Sequence, residues 1–318
     1  MKELISKISV ASGFLILLSG LGWGLGFVIN EYEILAKEHE GLLPSNQRIA
    51  LESCEDGSKR VVRTFAVQKA AKDIPILTYH RIVDEKDIVK KHYINGKVNP
   101  MIVTKADFKK QMTYLKDEGY VTLSLNELHG FLTRDISLPE KSVVITFDDG
   151  YKDNFIEAYP ILKKYDFKAV NFIITGAISN KVHPYTPEHV QYFGAKELRK
   201  GCDVFEYQSH TYSFHKREKK NGVKTSYLLS KSKDDVVNDI HTSIFQLGGE
   251  RLGFAYPYGE YSPESIKIIK QAGFSMAFTT EERVASPKDH MYEIPRFQIL
   301  YNTSLQEFKK LLNNDKDL

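Results

Sequence analysis

The chain has 318 residues, which leaves room for one large domain and an accessory segment. Apolar residues make up 42% of it and aromatic residues 12%, ample for a sizeable core. The net charge of +3 gives no nucleic-acid footprint, and two cysteines without Cys-x-x-Cys spacing exclude a disulfide framework or a cysteine-based metal site.

In chain order, Lys2 and Lys7 precede an uncharged apolar run over residues 8–29, and Glu31, Glu33 and Glu38 follow it. The run matches the ~20 residues that cross a bilayer as a helix, and the charge bias puts the N-terminus in the cytoplasm. The expectation is a single-pass membrane anchor at 1–29 with the remainder outside the cell. A cleaved signal peptide and a secreted protein form the rival reading. Residues 30–73 are mixed and charged and read as a stalk, leaving 74–318 as the catalytic domain. Cys54 and Cys202 leave one bridge or two free thiols open.

Residues 74–79 read as a strand that ends at His80. A lone histidine is usually a satisfied core residue, but a strand C-terminus is also where a catalytic one would stand. Thr104 caps a helix with Phe108, Met112 and Leu115 at helical spacing, closed by Gly119. A short strand at 120–123 follows, then a helix capped by Ser124 and carrying Leu125, Leu128 and Leu132. Next, Val143-Val144-Ile145-Thr146-Phe147 runs into Asp148, Asp149 and Gly150. This is a buried strand, and past its last ladder bond a turn would let both carboxylates reach one cavity. An Asp pair ahead of a helix can also merely cap it.

A helix over 152–165, a strand over 169–174, a long loop over 176–187 and a helix over 188–200 come next. Val204 and Phe205 lead toward His210 and His215, a second strand end that offers imidazoles. One Asp with two His and open positions for water is a catalytic metal set. The run from His215 to Lys220 reads as a solvated basic loop. A helix from Ser232 to about Gln246, a strand over 252–255, the turn Tyr256-Pro257-Tyr258-Gly259, a helix over 263–272, strands over 274–279 and 293–297, and a final helix capped by Ser304 complete the chain. Strands alternate with helices, so a parallel sheet with outer helices is expected. A (β/α) barrel fits, with its site at the C-terminal ends of the strands.

Thr146 to Gly150, the pair His210 and His215, and Tyr256 to Gly259 together resemble the motifs of the NodB-homology polysaccharide deacetylases (carbohydrate esterase family 4). The likeness covers residues 74–300. The commoner second motif spaces its histidines four apart, and here they are five apart. The commoner order also places the catalytic-acid histidine near the C-terminus, whereas Tyr79-His80 here precedes the Asp pair. Both departures resemble the poly-β-1,6-N-acetylglucosamine N-deacetylases of biofilm exopolysaccharide systems.

That resemblance implies a distorted, circularly permuted, seven-stranded (β/α) barrel that removes N-acetyl groups from an extracellular N-acetylglucosamine polymer. It assigns a divalent metal, Zn²⁺ with Co²⁺ or Ni²⁺ as alternatives, to Asp149, His210 and His215. Asp148 would be the general base, His80 the acid for the leaving amine, and the backbone N–H of Tyr258 part of the oxyanion site. Many relatives pair the base with an Arg two residues before the proline. Ala255 stands there in this chain, and Arg296 is the candidate substitute. Tyr185 and Tyr192 are candidates for stacking on sugar rings. The implied partners are the polymer, the membrane and an exopolysaccharide synthesis machinery. The alternatives are peptidoglycan or another N-acetylated glycan as substrate, or a non-catalytic glycan-binding module.

Overall fold

Eight short runs rich in β-branched and aromatic residues become the strands of one sheet. They are β1 (Ile76–Tyr79), β2 (Val121–Thr122), β3 (Ser142–Asp149), β4 (Ala169–Ile173), β5 (Phe205–Ser209), β6 (Gly253–Ala255), β7 (Met276–Phe278) and β8 (Phe297–Gln298). Their order is β7-β6-β5-β4-β3-β1-β8, with β2 beside β3. All of these pairings are parallel. This is a computed structural model, and it describes residues 40–51, 62–220 and 222–314. The anchor expected at 1–29 therefore lies outside the described residues, as does Cys54. Among the described residues no helix is long and apolar enough to cross a membrane.

Helices α1 (Lys105–Asp117), α2 (Leu125–Leu132), α3 (Tyr159–Lys164), α4 (Ala195–Gly201), α5 (Lys233–Gln246), α6 (Pro263–Gln271) and α7 (Leu305–Asn313) fall between or after the strands. Thr104, Ser124, Ser232 and Ser304 cap four of them, each side-chain oxygen accepting the backbone N–H three residues on.

Alternation along β3 assigns its side chains to two cores. Val143, Ile145 and Phe147 join an outer layer with Phe108, Met112 and Leu115 of α1 and Phe308 of α7. Val144 joins an inner cluster with Ile76, Val170, Phe172, Phe278 and Ile294, together with Leu125 and Leu128 of α2. Both faces are covered, so every residue of β3 is buried.

One segment links the sheet's two edges. Beside β7, Ile294 N donates to Ala277 O at 2.9 Å and Thr279 N donates to Ile294 O at 2.8 Å. Three residues later β8 pairs with β1, and Ile299 N donates to Thr78 O at 2.9 Å. The curled parallel sheet is that of a distorted (β/α) barrel.

Several elements differ from the sequence expectation. The helix expected at 188–200 shrinks to α4, because backbone groups ahead of it are engaged elsewhere: Lys152 N bonds Gln191 O at 2.8 Å and Phe193 N bonds Gly150 O at 3.0 Å. The helix expected at 152–165 contains a π-helical stretch, Asn154–Ala158. The basic run after His215 is not a solvated loop but an antiparallel hairpin of Arg217–Lys220 with Val223–Ser226. The strand expected at 293–297 contracts to β8, since Pro295 has no N–H for a ladder. Part of the segment read as a stalk packs on the domain. Leu43 and Ile49 are buried in the outer core, and Leu43 N and Ile49 N donate to Ile178 O and Gln246 O, each at 2.8 Å. Cys202 is disulfide-bonded rather than a free thiol.

Phe147 sits at the centre of an aromatic cluster, with ring centroids 5.5 Å from Tyr79, 5.7 Å from Phe205 and 5.9 Å from Phe108. Phe147→Ala is expected to lower the unfolding free energy by about 3–5 kcal/mol. A urea titration with an unchanged slope checks this, and a cost below about 1 kcal/mol would mean that the cluster repacks around the gap.

Candidate active site and metal centre

The C-terminal ends of β1, β3, β5 and β6 open into a cavity of about 460 Å³. His80, Asp148, Asp149, His210, His215 and Tyr258 line it, so six of the seven residues given catalytic or metal-ligating roles from the sequence meet there. The seventh, Arg296, lies fully buried directly behind Asp148.

Both carboxylates stand within the ladder, Asp148 opposite Phe172 and Asp149 opposite Ile173 of β4, and not beyond its last bond as expected. The backbone changes their heading. Asp149 has φ 74° and Gly150 φ 75°, two successive left-handed residues. A Cβ on Gly150 would lie 2.9 Å from Cγ2 of Ile173, so only glycine fits the second position.

Asp148 continues the inward face of Val144 and Thr146 and meets Arg296. The guanidinium Nη1 and Nη2 donate to Oδ1 and Oδ2, both at 2.8 Å, a bidentate pair. Nε donates to Thr279 O at 3.0 Å and Nη1 also reaches Thr146 Oγ1 at 3.2 Å. Burial alone would raise the Asp148 carboxyl, but the Arg296 charge outweighs it and holds the group well below the usual carboxylate range.

Asp149, His210 and His215 present ligand atoms that all lie within 4.8 Å of one another. Asp149 Oδ1 is buried without a hydrogen-bond donor, 3.5 Å from His210 Nε2 and 3.2 Å from His215 Nε2. His210 Nδ1 lies 2.8 Å from Ala255 O, and only a protonated Nδ1 satisfies that carbonyl, so its Nε2 is left with a free lone pair. A donorless buried carboxylate oxygen and an imidazole lone pair facing one point fit a divalent cation. Burial, with His215 close by, pushes His210 down to about 4, so it is a neutral ligand near neutral pH. Burial raises Asp149, but the neighbouring histidines outweigh it and keep it low.

The remaining motifs share a backbone habit. Thr211, just after His210, has φ 77°, and Tyr258 has φ 61°. Both are non-glycine residues in a costly conformation, as Asp149 is. The Tyr258 ring rests 4.3 Å from that of His215, and its hydroxyl donates to His215 O at 3.2 Å. His80 follows β1. Its carbonyl accepts Asn154 Nδ2 at 2.7 Å, and its Nδ1 is buried without a partner.

Sequence reasoning missed three residues. Tyr151 hydrogen-bonds Asp149 through its hydroxyl and lines the cavity. Arg217 covers the Tyr258 ring at 3.9 Å and pairs with Glu260. Asp239 grips the loop between the histidines. Tyr151 and Arg217 each stand two residues past a motif residue, Asp149 and His215, whereas Asp239 reaches the site only through tertiary packing. Neither Tyr185 nor Tyr192 lines the cavity, and Tyr192 stacks on Tyr151 at 5.5 Å.

Arg296→Met should cost about 3–5 kcal/mol, because it strands a buried carboxylate. Adding Asp148→Asn should restore a large part of the loss in a thermal or urea melt. Equal destabilisation of the single and double variants would show that packing, and not charge, is at stake. A pH series tests His210. In the folded state it stays unprotonated down to about 4, against an ordinary value of 6.5. The folded chain therefore binds fewer protons than the unfolded one in that window, and His210 withdraws stability as pH falls through it. In chelator, wild type should lose stability relative to His210→Gln by up to about 1.4 kcal/mol per pH unit there. A gap independent of pH would contradict a neutral His210.

Residues 135–277 match the family model described as Polysaccharide deacetylase. The Bacillus subtilis (strain 168) protein YxkH, a polysaccharide deacetylase by name, is 32% identical over 257 residues, which cover 80% of each chain. A Staphylococcus aureus poly-beta-1,6-N-acetyl-D-glucosamine N-deacetylase is 29% identical over 232 residues, 70% of this chain and 77% of that one. Among solved structures, the Streptococcus pyogenes deacetylase PplD in complex with acetate aligns with a TM-score of 0.64 at 28% identity, covering 77% of this chain and 99% of that one.

Proposed function

This chain belongs to the polysaccharide deacetylase family, and on that premise we propose that it is a metal-dependent hydrolase removing N-acetyl groups from extracellular poly-β-1,6-N-acetyl-D-glucosamine. One observation carries the reading: a donorless Asp149 oxygen and two histidines converge beside an Arg-paired Asp148 in one cavity. The substrate is supported by the name of the staphylococcal relative, by the five-residue histidine spacing, and by His80 preceding the Asp pair in the chain. His80 nonetheless ends the strand next to β3 in the sheet, as in a circularly permuted barrel.

Amide hydrolysis requires an activated water, a stabilised oxyanion and a proton for the amine. Asp149, His210 and His215 would hold a divalent cation, Zn²⁺ first among the ions that suit these donors, which supplies Lewis-acid polarisation of the acetyl carbonyl. Asp148 receives the proton of the attacking water, and Arg296 keeps it charged and fixed in direction for that task. The backbone N–H of Tyr258 donates to the developing oxyanion from a left-handed turn. His80 delivers a proton to the departing sugar amine. The product carries amines that are cationic near neutral pH and adheres to anionic surfaces. In this reading the apolar run at 8–29 anchors the enzyme with its domain outside the cell, beside the machinery that makes the polymer.

Acetate release from β-1,6-linked and β-1,4-linked N-acetylglucosamine oligomers, each with and without chelator, tests the reading. Chelator-sensitive release from the β-1,6 oligomer alone is expected. Release only from the β-1,4 oligomer would move the substrate to a peptidoglycan-type glycan. No release from either by metal-loaded protein would make the chain a glycan-binding module. Asp148→Asn should lower the rate about 10²–10⁴-fold with metal retained, whereas His210→Ala should lose both.

A further inference from the structure

Between the two metal-site histidines the chain runs through Thr211–Phe214 with no strand or helix to fix it. Yet both imidazoles have to face one point. Helix α5 holds this connection from behind. Asp239 is 5% exposed and accepts the backbone N–H of Tyr212 on Oδ1 at 2.9 Å and that of Ser213 on Oδ2 at 2.7 Å. Ser213 Oγ also donates to Oδ2, at 3.2 Å. One turn further along the same helix face, Ser243 Oγ lies 2.7 Å from Ser209 Oγ, which accepts the Thr211 N–H at 3.3 Å.

The opposite side of the connection is fixed as well. Thr175 N and Gly176 N donate to Thr211 O and Tyr212 O at 3.1 and 2.8 Å. A Cβ on Gly176 would lie 2.6 Å from Tyr212 O, so the approach exists only because that residue is glycine. Thr211, β-branched with φ 77°, stays left-handed because its neighbours on both sides are tied down.

We propose that Asp239 is a positioning residue of the metal centre: without touching either ligand, its carboxylate fixes the connection that sets the separation and direction of His210 and His215. This rests on the reading of Asp149, His210 and His215 as a metal site. A preorganised ligand pair does not have to be ordered when the cation arrives, so loosening the connection weakens binding. Asp239→Asn keeps the shape but replaces one acceptor oxygen with an NH₂ group. Either the Tyr212 or the Ser213 N–H then faces a donor, and the connection must shift.

The test is a titration of the metal-free full chain with Co²⁺, followed by visible absorption and by competition with a chelator of known affinity. Wild type is expected to bind. Asp239→Asn is expected to bind about 10–100-fold more weakly with altered d–d bands, the effect of losing a partner that orients ligands. Equal affinity and an unchanged spectrum in Asp239→Asn would overturn the inference while leaving the metal site standing. Failure of wild type to bind at all, or full binding by His210→Ala, would instead sink the metal-site reading. Should Asp239→Asn not fold by circular dichroism, Ser243→Ala decides: a several-fold loss with shifted bands supports the inference, and wild-type behaviour overturns it.

Discussion

A carboxylate and a guanidinium with almost no water contact define this molecule. Removing each charge from water costs several kcal/mol, and only close geometry with additional hydrogen bonds makes such a pair tolerable. Asp148 and Arg296 meet that condition through two parallel bonds, with Thr279 O and Thr146 Oγ1 taking the remaining contacts. The rings of Phe172 and Phe278 flank the guanidinium at 5.4 and 5.8 Å and wall it off from water. Because Arg296 lies on the segment that joins β7 to β1, the pair ties the centre of the sheet to its seam. The closure of the barrel and the charge of the proposed base are therefore one structural fact.

Much of this was legible in the sequence, for identifiable reasons. The β3 run, the helices capped by Thr104, Ser124, Ser232 and Ser304, and the three motifs are local signals, and local chemistry decides them. The hydrophobic stripe Phe108, Met112 and Leu115 is wholly buried, as its spacing implies. Arg296 was legible only indirectly, because Ala255 stands where the resembling deacetylases keep an arginine. What stayed hidden was settled over long range. Residues 188–194 hold only Glu188 and Gln191 as strong helix formers, and their carbonyls and amides serve Lys152, Arg81 and Gly150 instead. The basic run after His215 looked solvated because nothing local shows that Arg217 will lie on the Tyr258 ring. Asp239 is one acid among several on its helix, and only the fold reveals which backbone it serves.

The site also shows how geometry can be written in the main chain. Asp149, Thr211 and Tyr258 each stand at or just beyond a strand end, and each is left-handed without being glycine. Conformations of this kind cost about 1–3 kcal/mol apiece and persist only where the surroundings over-determine them. Here the determinants are visible: β4 pairing at Asp149, the double tether at Thr211, and the stack of His215, Tyr258 and Arg217 at the third. The strain sits where three loops must deliver groups to one point.

The seam has a bearing on when the protein can act. Arg296 arrives with β8, which is made after every other strand of the sheet. Until that strand docks, Asp148 either holds a proton or stays hydrated, and in neither condition is it an aligned charged base in a dry wall. In the proposed reading, a nascent or half-assembled chain lacks its aligned base even with both histidines and Asp149 in place. The proposed base is therefore completed only by the final stitch of the barrel, which makes assembly of the fold and assembly of the site the same event.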